Sequence, residues 1–169
     1  MQLLVIRHAI AEDREEFALS GRDDRFRPLT PRGRRRMRRA AGGLRVVVPD
    51  IALLAASPLV RAVQTADVLA EVYGGVERDT WSELSPGVGP SRLVDRLRSF
   101  HVEGGPVAVV GHEPDLGELV SWLLSGRVSS FVELKKGSAC LLGFEGDPGP
   151  ERARLHWLMQ PGQLRRMRG

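Results

Sequence analysis

Strand-like runs at 2–7, 51–56, 76–80 and 106–111 alternate along the chain with stretches of helical periodicity at 30–43, 58–73, 90–101 and 114–125. A strand covered on both faces reads as an unbroken apolar run, and strands that alternate with helices pack as a parallel sheet between helical layers. Two later runs, 138–145 and 153–158, are joined by a turn at Gly146 to Pro150 and predict an antiparallel ending. The pattern therefore predicts an α/β fold: a three-layer sandwich with a mainly parallel sheet, helices on both faces and an antiparallel C-terminal finish. No linker, repeat or low-complexity tract interrupts it, so one domain is expected over residues 1–169.

Local signals mark the helix ends. Thr30-Pro31 and Ser57-Pro58 each set a capping hydroxyl before a proline suited to the first helical position. Gly42-Gly43 and Gly74-Gly75 are expected to end the first and second helices. The charged, irregular segment 12–29 follows strand one directly and predicts a loop lying over that strand's carboxyl end.

Composition narrows the class without naming a function. Hydrophobic residues make up 42% and charged residues 27%, as in an ordinary globular protein. The lone Cys140 excludes an internal disulfide framework, and no apolar run approaches a membrane span. The first residues enter a strand at once, with no basic stretch ahead of an apolar core, so a cytoplasmic setting is expected. The net charge of +4 favours acidic partners such as phosphorylated substrates. Aromatics are only 5% and do not interleave with the basic residues, which argues against nucleic acid.

The candidate chemistry lies at strand ends. Strand one closes on Arg7-His8, and the run Val107–Gly111 leads into His112. Arg61 falls in the first turn of the helix after the second strand. Ligands of open α/β sheets bind at the carboxyl ends of the strands. Imidazole can act as a nucleophile, and guanidinium groups and helix N-termini hold oxyanions. Each residue alone reads as readily as structural or solvated. Three strands delivering His or Arg to one sheet edge favour a phosphate-handling site.

Arg7-His8, Arg61 within Ser57-Pro-x-x-Arg-Ala-x-Gln-Thr65, and Gly111-His112 together resemble the histidine phosphatase superfamily, which also includes cofactor-dependent phosphoglycerate mutases. The segment Arg27-Pro28-Leu29-Thr30 and the ending Leu155-His156-Trp157-Leu158 are similar to the SixA-type phosphohistidine phosphatases. The resemblance runs over nearly the whole chain. It implies that His8 is a nucleophile that becomes transiently phosphorylated. It further implies that Arg7, Arg61 and His112 complete the phosphate pocket and that Arg27 is an additional phosphate or substrate ligand. Ala9 stands where many superfamily members have glycine. Glu83 occupies the region where the superfamily often supplies a general acid; a solvated loop glutamate is the other reading.

No cofactor and no metal are expected, because arginine and histidine supply the positive charge. Nearby Arg7 and Arg61 should hold the His8 pKa down and keep its ring neutral. The arginines at 32, 34, 35, 36, 38 and 39 read as a solvated helix, with a docking surface for an acidic protein or for nucleic acid as the alternative. His101 and His156 read as structural, and Trp122 and Trp157 as core or rim packing.

The expected activity is a metal-independent phosphatase that forms a phosphohistidine on His8 and most readily hydrolyses protein phosphohistidine. The alternatives are a small-molecule phosphomonoesterase on the same site and a phosphate- or nucleic-acid-binding module without turnover. Substrate choice is expected to reside in loops 12–29 and 84–91.

Overall fold

The computed structural model describes residues 1–100 and 104–167. Six strands, β1 (Gln2–Arg7), β2 (Leu53–Ala56), β3 (Arg78–Thr80), β4 (Val107–Gly111), β5 (Ala139–Phe144) and β6 (Ala153–Met159), form one sheet in the order β3-β2-β4-β1-β5-β6. The pairs β2–β3, β2–β4 and β1–β4 are parallel, whereas β1–β5 and β5–β6 are antiparallel. The helices are α1 (Arg14–Ala18), α2 (Pro31–Val47), α3 (Val60–Val72), α4 (Pro90–Arg98), α5 (Asp115–Ser125) and α6 (Pro161–Met167). This is the mainly parallel α/β sandwich with an antiparallel finish that the sequence pattern predicts.

Side-chain alternation along β1 divides the interior into two cores. Leu4 and Ile6 pack with Ala40, Leu44 and Leu69 of α2 and α3. Leu3 and Val5 face the other way and meet Leu97 of α4 and Leu119 and Leu123 of α5. Successive strand residues point to opposite faces, so a strand with both faces covered must be apolar throughout. Arg7 closes β1 and His8 follows it at the carboxyl edge of the sheet. Because β2, β4 and β1 are neighbours, the residues after their carboxyl ends converge. The amide of His8 donates to the carbonyl of Gly111 (3.1 Å), and that of Ser57 to Val110 (2.9 Å).

Several local expectations are corrected. Helix α2 does not stop at Gly42-Gly43; it runs on to Val47. Gly43 instead admits the backbone of α6, since a Cβ there would overlap the carbonyl oxygen of Leu164. Thr30 caps α2 as expected, its hydroxyl accepting from the Gly33 amide (2.9 Å). Ser57 does not cap α3, which begins at Val60 after Leu59 with no side-chain cap. Helix α4 ends at Arg98, and His101 lies outside the described residues. The segment 12–29 holds α1 and a 3₁₀ turn at Asp24–Phe26, each capped by the preceding aspartate, and α6 carried no periodic signal. Among the described residues no helix is long and apolar enough to cross a membrane.

Candidate active site

His8 follows β1 directly, and its ring is buried beside that of His112, with ring centroids 5.1 Å apart. The Nδ1 of His8 lies 2.7 Å from the carbonyl oxygen of Ala9. A carbonyl only accepts, so Nδ1 carries the proton and the Nε2 lone pair is free. Burial lowers the pKa of His8 to about 3, opposed by the Ala9 hydrogen bond and aided by the charges of His112, Arg61 and Arg7. Neutrality was expected from the arginines; desolvation is the larger cause. His112 is likewise held near 3, first by burial and then by Arg61. Both rings are neutral at physiological pH.

Three backbone contacts fix the end of β1. The amide of Arg7 donates to Ser138, and the amide of Gly137 reaches the carbonyls of Arg7 and His8 at 3.1 and 3.2 Å. The Nη1 of Arg7 donates to the Leu134 carbonyl (2.6 Å). Leu134 in turn donates its amide to Glu113 Oε1 (2.9 Å), so the residue after His112 helps to hold Arg7.

Arg61, in the first turn of α3, is buried, and its Nη2 lies 3.1 Å from Asp24 Oδ2. Asp24 also accepts from Arg27 Nε (2.8 Å), and Arg27 Nη1 donates to the Glu12 carbonyl (2.7 Å). One carboxylate in segment 12–29 thus joins Arg27 to Arg61. Burial alone would raise the Asp24 pKa; the Arg27 hydrogen bond and the Arg61 charge outweigh it and pull it down. Among the described residues, Arg7 Nε, Arg61 Nε and His112 Nδ1 are buried without a hydrogen-bond partner. An unpartnered buried polar group is unfavourable by about 1–3 kcal/mol; away from the site, Arg96 Nε and Gln160 Oε1 are unpartnered as well.

Arg7, His8, Arg61 and His112 therefore come together, with Arg27 joined through Asp24. Glu83 lies in a 3₁₀ turn and lines one cavity with His112, its Oε2 accepting from Ser82 Oγ (3.3 Å). His156 is an exposed β6 residue whose ring lies over Gly143. Trp122 and Trp157 are partly buried against the two cores.

The sequence reading missed how the other polar residues of the Ser57–Thr65 motif act. Ser57 Oγ lies 2.8 Å from His112 Nε2. Gln64 Oε1 accepts from the Leu29 amide (2.8 Å) and pins the end of segment 12–29. Thr65 Oγ1 accepts from the Ala9 amide (3.0 Å) and donates to the Arg61 carbonyl (2.7 Å), tying the end of β1 to α3. Their presence in the motif was the available signal. Asp24 carried none, being one acid among many in a charged segment.

The sheet, covered on both faces, thus brings two neutral histidines, the buried Arg61 and the half-buried Arg7 to adjacent strand ends of an α/β protein. The profile of the histidine phosphatase superfamily (branch 1) matches residues 3–86, and the chain belongs to that superfamily. It is 33% identical to an uncharacterized protein of Picosynechococcus sp. over 92% of this chain and 90% of that one. It is 26% identical to phosphohistidine phosphatase SixA of Escherichia coli over 98% and 97% of the two chains. Its fold is similar to that of the protein histidine phosphatase SixA complexed with tungstate, with a TM-score of 0.79, 24% identity and 97% and 99% coverage. A putative alpha-ribazole-5'-P phosphatase from Escherichia coli shares the fold at a TM-score of 0.75 and 18% identity, over 95% and 98% of the chains.

Proposed function

We propose that the chain is a metal-independent phosphatase, one domain over residues 1–169, that passes the phosphoryl group of a protein phosphohistidine through His8 to water. The observation that carries this reading is the His8 ring. Its Nδ1 proton is committed to Ala9, its pKa lies near 3, and its Nε2 is free among Arg7, Arg61 and His112. In the first displacement Nε2 bonds to phosphorus as the bond to the leaving imidazole breaks, and the leaving group keeps that electron pair. In the second, the oxygen of water bonds to phosphorus as the P–Nε2 bond breaks; the protons of water leave with the inorganic phosphate or to solvent, and His8, still carrying its Nδ1 proton, is regenerated neutral. Arg7 and Arg61 offset the charge on the equatorial oxygens, which is the main demand of phosphoryl transfer. Arg27 steers the substrate. His112, held by Ser57, donates to the transferring group from a neutral ring.

An imidazole departs more readily than an alkoxide, so protein phosphohistidine asks least of a general acid. Glu83 becomes important with poorer leaving groups, because it lines the cavity shared with His112. The tungstate complex of SixA supports an oxyanion pocket in this fold, and the SixA likeness supports the phosphohistidine substrate. A small-molecule phosphomonoesterase is the second reading, favoured by the shared fold of the alpha-ribazole-5'-P phosphatase.

Rapid quenching with radiolabelled phosphohistidine protein tests the proposal. Label is expected on His8, acid-labile and lost in His8→Ala, with turnover unchanged in excess chelator. Turnover without label on His8 would overturn the nucleophile, and loss in chelator reversed by one divalent ion would overturn the metal-free mechanism. A panel of phosphohistidine protein, phosphosugar, nucleotide and aryl phosphate separates the two substrate classes.

A further inference from the structure

Behind the end of β1 lies a second cavity, of about 110 Å³, that the phosphoryl chemistry does not use. Ala9, Ile10 and Met37 form its apolar lining, and Arg36, Lys136 and Arg165 supply three cations. Among the described residues none of these cations has a salt-bridge partner. Like charges gathered without a counter-ion oppose folding. Burial and the charges of Arg36, Arg39 and Arg166 lower the Arg165 pKa. Burial, Arg7 and Arg27 lower that of Lys136, with Asp13 opposing in part.

The cavity is tied to the catalytic residues through the chain that follows β1. Ala9 and Ile10 are the two residues after His8, and Lys136 precedes the Gly137 amide that holds the Arg7 and His8 carbonyls. Lys136 feels the charges of Arg7, Arg27 and Arg61 and lines the cavity that Arg36 and Arg165 also line. Arg36 lies on one face of α2 with Gly33, Met37 and Ala40, the 3.6-residue stripe that lines the cavity, while Arg35 and Arg38 leave the helix on its other side.

We propose that this cavity is a second anion subsite, which takes an acidic side chain flanking the phosphorylated residue of a protein substrate. The proposal rests on the reading of His8 as the phosphoryl acceptor. It selects among phosphoproteins by the charge next to the modified histidine. It also divides the arginines of α2 into cavity residues and solvated ones.

Fluorescence anisotropy with two labelled peptides tests it. Both carry a non-hydrolysable phosphohistidine analogue, one flanked by glutamates and the other by glutamines. The wild-type chain should bind the glutamate peptide about tenfold more tightly at low salt, the sum of a few partly screened ion pairs. Arg36→Gln/Arg165→Gln should bring the two affinities together, whereas Arg35→Gln/Arg38→Gln should keep the preference. The glutamine peptide reports on folding and the catalytic pocket in every variant. Equal wild-type affinities, or an unchanged preference in Arg36→Gln/Arg165→Gln, would overturn the subsite and leave the phosphohistidine reading standing. Equal loss of preference in both double variants would overturn it in favour of a diffuse field. Failure of both peptides to bind the wild type would overturn the phosphohistidine reading and the subsite with it.

Discussion

The Nε2 of His112 lies 2.8 Å from the hydroxyl of Ser57, and both side chains are buried. Ser57 follows β2 and His112 follows β4, so two adjacent strands fix one ring. Ser57→Ala leaves that nitrogen buried and unpaired, a loss of about 1–3 kcal/mol. The variant should lose about tenfold in kcat, with a smaller change in KM, because an undirected ring fails chiefly in the transition state. Ring ¹⁵N shifts should move for His112 and hold for His8. An unchanged kcat would remove Ser57 from the positioning of the site.

Titration gives a separate check. The folded-state pKa values of His8 and His112 lie near 3, below the usual 6.5. The unfolded chain therefore binds more protons than the native one between those values, so stability is fully present above about pH 6.5 and falls as pH drops toward 3. The C2–H resonances of both rings should not titrate between pH 5 and 8. Denaturant midpoints should decline below pH 6.5, and less steeply in His8→Gln, which takes up one proton fewer on unfolding. A His8 resonance titrating near 6.5 would contradict the buried neutral nucleophile.

Arg61→Ala should cost about a hundredfold or more in turnover, the usual loss for one transition-state charge contact. Asp24→Asn keeps the shape of the acid but removes the charge that pairs with Arg61 at 3.1 Å, and should cost about tenfold. Arg35→Ala touches neither group and should act only through screened attraction, at low salt. Steady-state rates on aryl phosphate at low and high salt separate the three. Equal losses for Arg35→Ala and Arg61→Ala would displace the pocket.

Gly43→Ala should destabilise the fold by about 1–3 kcal/mol despite the better helix propensity of alanine, because the added methyl overlaps the Leu164 carbonyl. Denaturant unfolding measures it. A stabilised variant would mean that α6 packs less closely on α2 than the structure has it.

Burial and periodicity make most of the architecture legible in the sequence alone. Leu3 to Ile6 and Val107 to Val110 are apolar at every position, as strands covered on both faces must be, and their ends delivered Arg7, His8 and His112. The sequence by itself therefore determined the alternation of elements, the mainly parallel sheet and four of the polar groups at its edge. Only the tertiary structure decided what those groups touch. Ser57 looks like a helix cap along the chain, but β2 and β4 are neighbours, so its hydroxyl is drawn to His112, 55 residues away. Asp24 looks like a loop charge until the fold of segment 12–29 brings it between Arg27 and Arg61. Gly43 looks like a helix stop until α6 packs against it. Hydrophobic periodicity records which face of an element is buried. Hydrogen bonds and ion pairs depend on which distant residue arrives opposite, and strand order and loop closure decide that after the chain has folded.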